Sequence, residues 1–143
     1  MIRTLAALVL AIGLAACGQG AGLAIEDAQF RPPLGSTGIG VAYFSIRSAT
    51  ADRIVSITSP DADSIEIHGS VTTGGNVSMQ QLDGVDLPAG KEVKFESGGK
   101  HLMVFSPRVS GKALTFPITI ELQSGAKQTV QFKVITGRAE RQS

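Results

Sequence analysis

The chain predicts an all-β fold, a single-domain sandwich or barrel, on three observations. Runs rich in β-branched and aromatic residues alternate apolar and polar at every second position. Turn signals built from Gly, Pro and Asp separate these runs at short spacing. No segment sustains a helical apolar period over several turns. The length of 143 residues fits one domain. A charged fraction of 17% with 17 glycines suits a loop-rich globular body better than a helical bundle or a disordered chain.

The first segment reads as an address. Met1-Ile2-Arg3 is a short positive region, and residues 5–16 are an apolar run. That run is too short to span a bilayer as a helix, which needs about 20 residues. It ends in Leu14-Ala15-Ala16-Cys17, so residues 1–16 read as a secretory signal. A small residue before a lone Cys resembles a bacterial lipobox, in which the Cys is lipidated and becomes the mature N-terminus. Cys17 is then a lipid attachment site, and residues 17–22 are its Gly-rich tether. The expected location is the periplasmic side of a bacterial membrane, lipid-anchored, or free in the periplasm without the lipid.

The strands follow in order over residues 23–136. Residues 23–30 form a first short run, stopped by Arg31-Pro32-Pro33-Leu34-Gly35. Residues 39–47 put Ala42, Phe44 and Ile46 on one face and Val41, Tyr43 and Ser45 on the other. Residues 53–58 alternate and end at Ser59-Pro60-Asp61. Residues 64–68 set Ile65 and Ile67 against Ser64, Glu66 and His68, with His68 at the strand end. Residues 76–82 follow a Gly74-Gly75 turn, and Asp83-Gly84 and Pro88-Ala89-Gly90 bracket a short connector. Residues 92–96 turn at Ser97-Gly98-Gly99 into residues 101–105. After a loop over residues 107–112, residues 113–122 and 128–136 form a hairpin around Ser124-Gly125. Residues 137–143 are polar and without an apolar anchor, a flexible tail.

Composition narrows the chemistry. Thirteen basic against 12 acidic side chains provide no broad electrostatic footprint for nucleic acid. One Cys cannot make an internal disulfide, a Cys-rich zinc site or a redox pair. Apart from the initiating Met, the chain has two His and two Met: His68, Met79, His101 and Met103. His101 and Met103 leave the same face of one strand, with Leu102 and Val104 pointing into the core. His68 lies opposite its own core residues, and Met79 sits in the next strand of a hairpin. Two imidazoles and two thioethers, with no thiolate, make a soft, neutral donor set. Thioether sulfur favours Cu(I), zinc sites rarely use it, and a blue-copper centre needs a thiolate. Taken singly, each Met also reads as core filler and each His as a hydrogen-bonded surface residue. Asp61, Asp63 and Glu66 read as a solvated turn and strand face. No nucleophile elbow or HExxH spacing supports an enzyme.

The spacing of the four residues, H-x10-M-x21-H-x-M, resembles the signature of the PCu(A)C family of periplasmic copper chaperones. Ile65-Glu66-Ile67-His68, Leu87-Pro88-Ala89-Gly90, Gly98-Gly99-Lys100-His101-Leu102-Met103 and Ala42-Tyr43-Phe44 are also similar to that family's text, and the likeness covers about residues 23–135. It implies a cupredoxin-like Greek-key β-sandwich binding one Cu(I) through His68, Met79, His101 and Met103. It also implies delivery of copper to a respiratory oxidase copper subunit, alone or with a Sco-like thiol protein, or buffering of periplasmic copper. The sequence departs from the family at Gln29-Phe30, where many members have Trp, and at Gly69-Ser70-Val71-Thr72-Thr73, where many have further Met. Its tail lacks the His and Met of a second copper site. The competing reading is a metal-free structural or interaction lipoprotein. Neutral imidazole ligands imply that copper affinity falls as pH drops through about 6.5.

Overall fold

Period-two alternation resolves into ten strands in a computed structural model, which describes residues 22–35 and 37–137. Cys17, the signal segment and the end of the tail lie outside the described residues. The strands are β1 (Leu23–Arg31), β2 (Ile39–Ser48), β3 (Asp52–Thr58), β4 (Ser64–Thr73), β5 (Asn76–Leu82), β6 (Val85–Leu87), β7 (Glu92–Phe95), β8 (His101–Phe105), β9 (Thr115–Leu122) and β10 (Lys127–Val134). No helix long and apolar enough to cross a membrane occurs among the described residues.

The strands pair in the order β5-β4-β8-β2-β1-β10-β9-β3-β6, and β7 joins the far half of β2. All pairings are antiparallel except β1 with β10, which run parallel. The two halves of this ladder close over one another as a cupredoxin-like β-sandwich. Ala42, Phe44 and Ile46 of β2 and Leu102 and Val104 of β8 face inward and are buried, as their alternation predicts. They meet Phe116, Ile118, Ile120 and Phe132 from β9 and β10. Stacked rings knit the core: Phe30 on Phe116 at 4.3 Å, Phe44 on Phe95 at 4.2 Å, and Phe132 edge-on to Phe44 at 5.6 Å between centroids.

Two expectations change. The connector after β5 is itself a strand, β6, whose Val85 and Leu87 are buried and whose ladder joins β3. The first His does not end its strand. β4 runs on to Thr73, because its second half pairs residue for residue with β5 in a hairpin that projects past the core. Nearly all of β5 is exposed, so hydrogen bonding with β4 defines this arm, not burial. The final hairpin of β9 and β10 forms as expected.

Candidate metal centre

Antiparallel register decides which side chains share a face, since residues directly opposite project the same way. β4 lies between β5 and β8. Across β4 and β8, Glu66 stands opposite Met103 and His68 opposite His101. Across β4 and β5, Ser70 stands opposite Met79 and His68 opposite Gln81. All these side chains lie on the outer face, while Ile67, Leu102 and Val104 lie beneath in the core. A hairpin, β4–β5, and a strand distant in sequence, β8, thus bring His68, Met79, His101 and Met103 to one surface patch. Val41 of β2 flanks Met103 on its other side.

The two imidazoles are neighbours, with ring centroids 6.0 Å apart and planes tilted by 35°. A metal ion about 2.0–2.1 Å from a ring nitrogen stands roughly 3 Å from that ring's centre. Rings separated by 6.0 Å can therefore share one ion. Met103 follows His101 on the same face of β8. Met79 is diagonal to His68 across the β4–β5 ladder, a separation of about 7–8 Å at the backbone that a long thioether can bridge. The side chain of Met79 is 48% exposed. A residue that open is not filling a core, so the core-filler reading does not apply to it.

His68, Met79 and His101 each have a local support. The β7–β8 turn closes through Gly99 N–H to Glu96 O at 3.0 Å and Glu96 N–H to Lys100 O at 2.7 Å. Gly98 sits in it at φ +84°, a left-handed conformation that glycine adopts without penalty. The turn aims the Gly99 carbonyl at His101 Nδ1, 3.0 Å away. It also brings the Gly98 carbonyl within 3.2 Å of Ser70 Oγ, whose other neighbour is Met79 Sδ at 3.3 Å. Glu66 Oε2 lies 2.8 Å from His68 Nε2. On the inner side, Gly69 leaves room for Leu82. A Cβ there would come within 2.8 Å of Leu82 Cδ1, so glycine lets β5 lie close against β4.

Ser70 and the carbonyls of Gly98 and Gly99 are the parts the sequence reading passed over, and Glu66, read there as a solvated face, stands against His68. Glu66 was legible in principle, because it precedes His68 by two positions and so shares its face. Asp61 and Asp63 are elsewhere: Asp63 takes an ion pair from Arg108 at 2.7 Å, a tie at the end of the sheet. Among the described residues, no three His, Cys, Asp or Glu side chains gather as a hard-ligand cluster. The donors that share this face are two imidazoles and two thioethers, a soft and largely neutral set.

Comparison with known proteins places this fold. The family described as "Putative lipoprotein LpqE-like" matches residues 23–134. "Putative lipoprotein Lxx21020" of Leifsonia xyli subsp. xyli is 26% identical over 104 residues, 68% of this chain. The match spans 61% of the length of that relative. Among solved structures, the copper-bound PCuAC domain from PmoF2 superposes with a TM-score of 0.66 at 18% identity, covering 81% of this chain and 94% of that domain. Cu(I)-bound DR1885 from Deinococcus radiodurans superposes at 0.64 with 21% identity, covering 83% of this chain and 82% of its own. At such identities the likeness establishes a shared fold, and the fold is that of PCuAC domains.

Proposed function

The chain belongs to the LpqE-like lipoprotein family, and from that premise we propose that it is an extracytoplasmic copper carrier, anchored by lipid at Cys17. It binds one Cu(I) through His68, Met79, His101 and Met103. The observation that carries this reading is the register that sets His68 opposite His101, with both Met side chains on the same outer face. The copper-bound PCuAC relatives of this fold support the same cargo.

The geometry suits transfer more than storage. The donor atoms are neutral, so no thiolate locks the ion in place. They lie on an open sheet face, and Met79 on the edge hairpin is the most accessible of the four candidate donors. An incoming partner can replace one thioether at a time, with the imidazoles held by the rigid β4–β8 ladder. The recipient is an oxidase copper subunit or a Sco-like thiol protein in this scheme, and the chain acts as a carrier without catalysis.

The test is a Cu(I) titration of the full chain against a chromophoric chelator under reducing conditions. One equivalent should bind. Replacing His68 or His101 by Ala, or Met103 by Leu, should each weaken binding by more than tenfold, or about 1.4 kcal/mol. Three variants that all bind as tightly as the parent would refute the assignment and favour a metal-free interaction lipoprotein.

A further inference from the structure

The two facing imidazoles are held by different kinds of acceptor at different ring nitrogens. A carbonyl oxygen only accepts, so at 3.0 Å from Gly99 O the Nδ1 of His101 carries the proton. Its Nε2 is left outside that hydrogen bond. At His68 the pattern inverts, since Nε2 faces the Glu66 carboxylate at 2.8 Å. An ionised carboxylate also only accepts.

We propose that Glu66 is a positioning residue that fixes His68 as the Nε2–H tautomer, so that His68 offers Nδ1 and His101 offers Nε2 to the same ion. This deepens the copper-carrier reading and rests on it. Strand order supplies the geometric reason. β4 is the middle strand, with Met79 on β5 to one side and His101 and Met103 on β8 to the other. Nδ1 is the ring nitrogen nearer the backbone. A short reach from the middle strand keeps the ion over β4, where ligands from both flanks can meet it. A longer reach through Nε2 would lift the ion away from the sheet. Glu66 does this without acting as a ligand, its Oε2 being engaged by His68. A carboxylate behind the imidazole also raises its basicity towards a metal.

The test uses the full chain with 15N-labelled histidine, copper-free, at pH 8. Two-bond 15N–1H correlation spectra should place the proton of His68 on Nε2 and that of His101 on Nδ1. Glu66→Leu should shift His68 towards the other tautomer and weaken Cu(I) binding by about 10- to 100-fold. Glu66→Gln keeps an acceptor oxygen and should restore the Nε2–H tautomer and most of the affinity. A parent His68 protonated on Nδ1, or a Glu66→Leu chain with unchanged tautomer and affinity, would overturn the proposal. So would an oxygen scatterer in the copper X-ray absorption spectrum that disappears in Glu66→Leu, which would make Glu66 a ligand. The tautomer is read without copper. A chain that binds no Cu(I) therefore refutes the carrier reading, whereas a wrong tautomer in a chain that binds Cu(I) refutes only the role of Glu66.

Discussion

Replacing Met79 by Leu separates a metal ligand from a packing residue more cleanly than any other change on this face. The two side chains have similar volume, and such exchanges usually cost less than about 1.5 kcal/mol even in a core. Met79 is 48% exposed and sits on the edge strand of the sheet, so little packing is at stake. Its one polar contact, 3.3 Å from the Ser70 hydroxyl, is exposed and therefore weak. The expected loss is about 0.5 kcal/mol or less, a few degrees of melting temperature at most for a domain of this size. Loss of the thioether should nonetheless weaken Cu(I) binding by more than tenfold. Ile67→Ala is the matching control. Ile67 is next to His68 on the opposite face and only 6% exposed, so its truncation should cost about 2–5 kcal/mol. The assay is a copper-free thermal melt paired with a chelator competition for each variant. A fall of 10 °C or more in Met79→Leu with unchanged copper affinity would refute the reasoning.

Two further outcomes follow from the turns. Gly98→Ala forces a side chain into φ +84° and should cost about 1–2 kcal/mol; because the Gly98 and Gly99 carbonyls support Ser70 and His101, copper affinity should fall with it, and a chelator competition showing parent affinity would contradict that coupling. Asp52 accepts hydrogen bonds from Ser124 and from the backbone N–H of Arg53, which hold its carboxyl below the ordinary carboxylate range. A lowered folded-state pKa stabilises the fold above the unfolded value and is lost as pH falls through the folded one. Asp52→Asn should therefore flatten the acid side of the stability profile, and denaturant melts between pH 7 and 3 with the parent's slope would exclude the contribution.

Much of the site was legible because β-structure writes its faces into the chain. Period two is enough to say that His101 and Met103 look one way while Leu102 and Val104 look the other, and burial follows that division. The same rule extends to Glu66 and His68. What the sequence alone did not reveal was a contact between two polar side chains on one strand face. Glu66 was read as part of a solvated face, and its carboxylate lies 2.8 Å from His68. The full length of β4 was missed for a related reason. Ser70 to Thr73 bury little, and their strand character comes from hydrogen bonds to β5 that leave no apolar signature. β6 was missed because three residues are too few to display a period.

By itself the sequence determined the fold class, the scarcity of its His and Met residues, and the side of their strands from which His68, His101 and Met103 leave. Alternation and side-chain chemistry are local properties, and they need no partner strand. Only the tertiary structure decided that β4 lies between β5 and β8, that His68 meets His101 across a ladder joining distant parts of the chain, and which neighbour each imidazole faces. Strand order and register are settled by how two sheet faces close over a shared core of Phe, Ile and Leu. That is a property of the whole chain's packing, which no stretch of sequence contains alone.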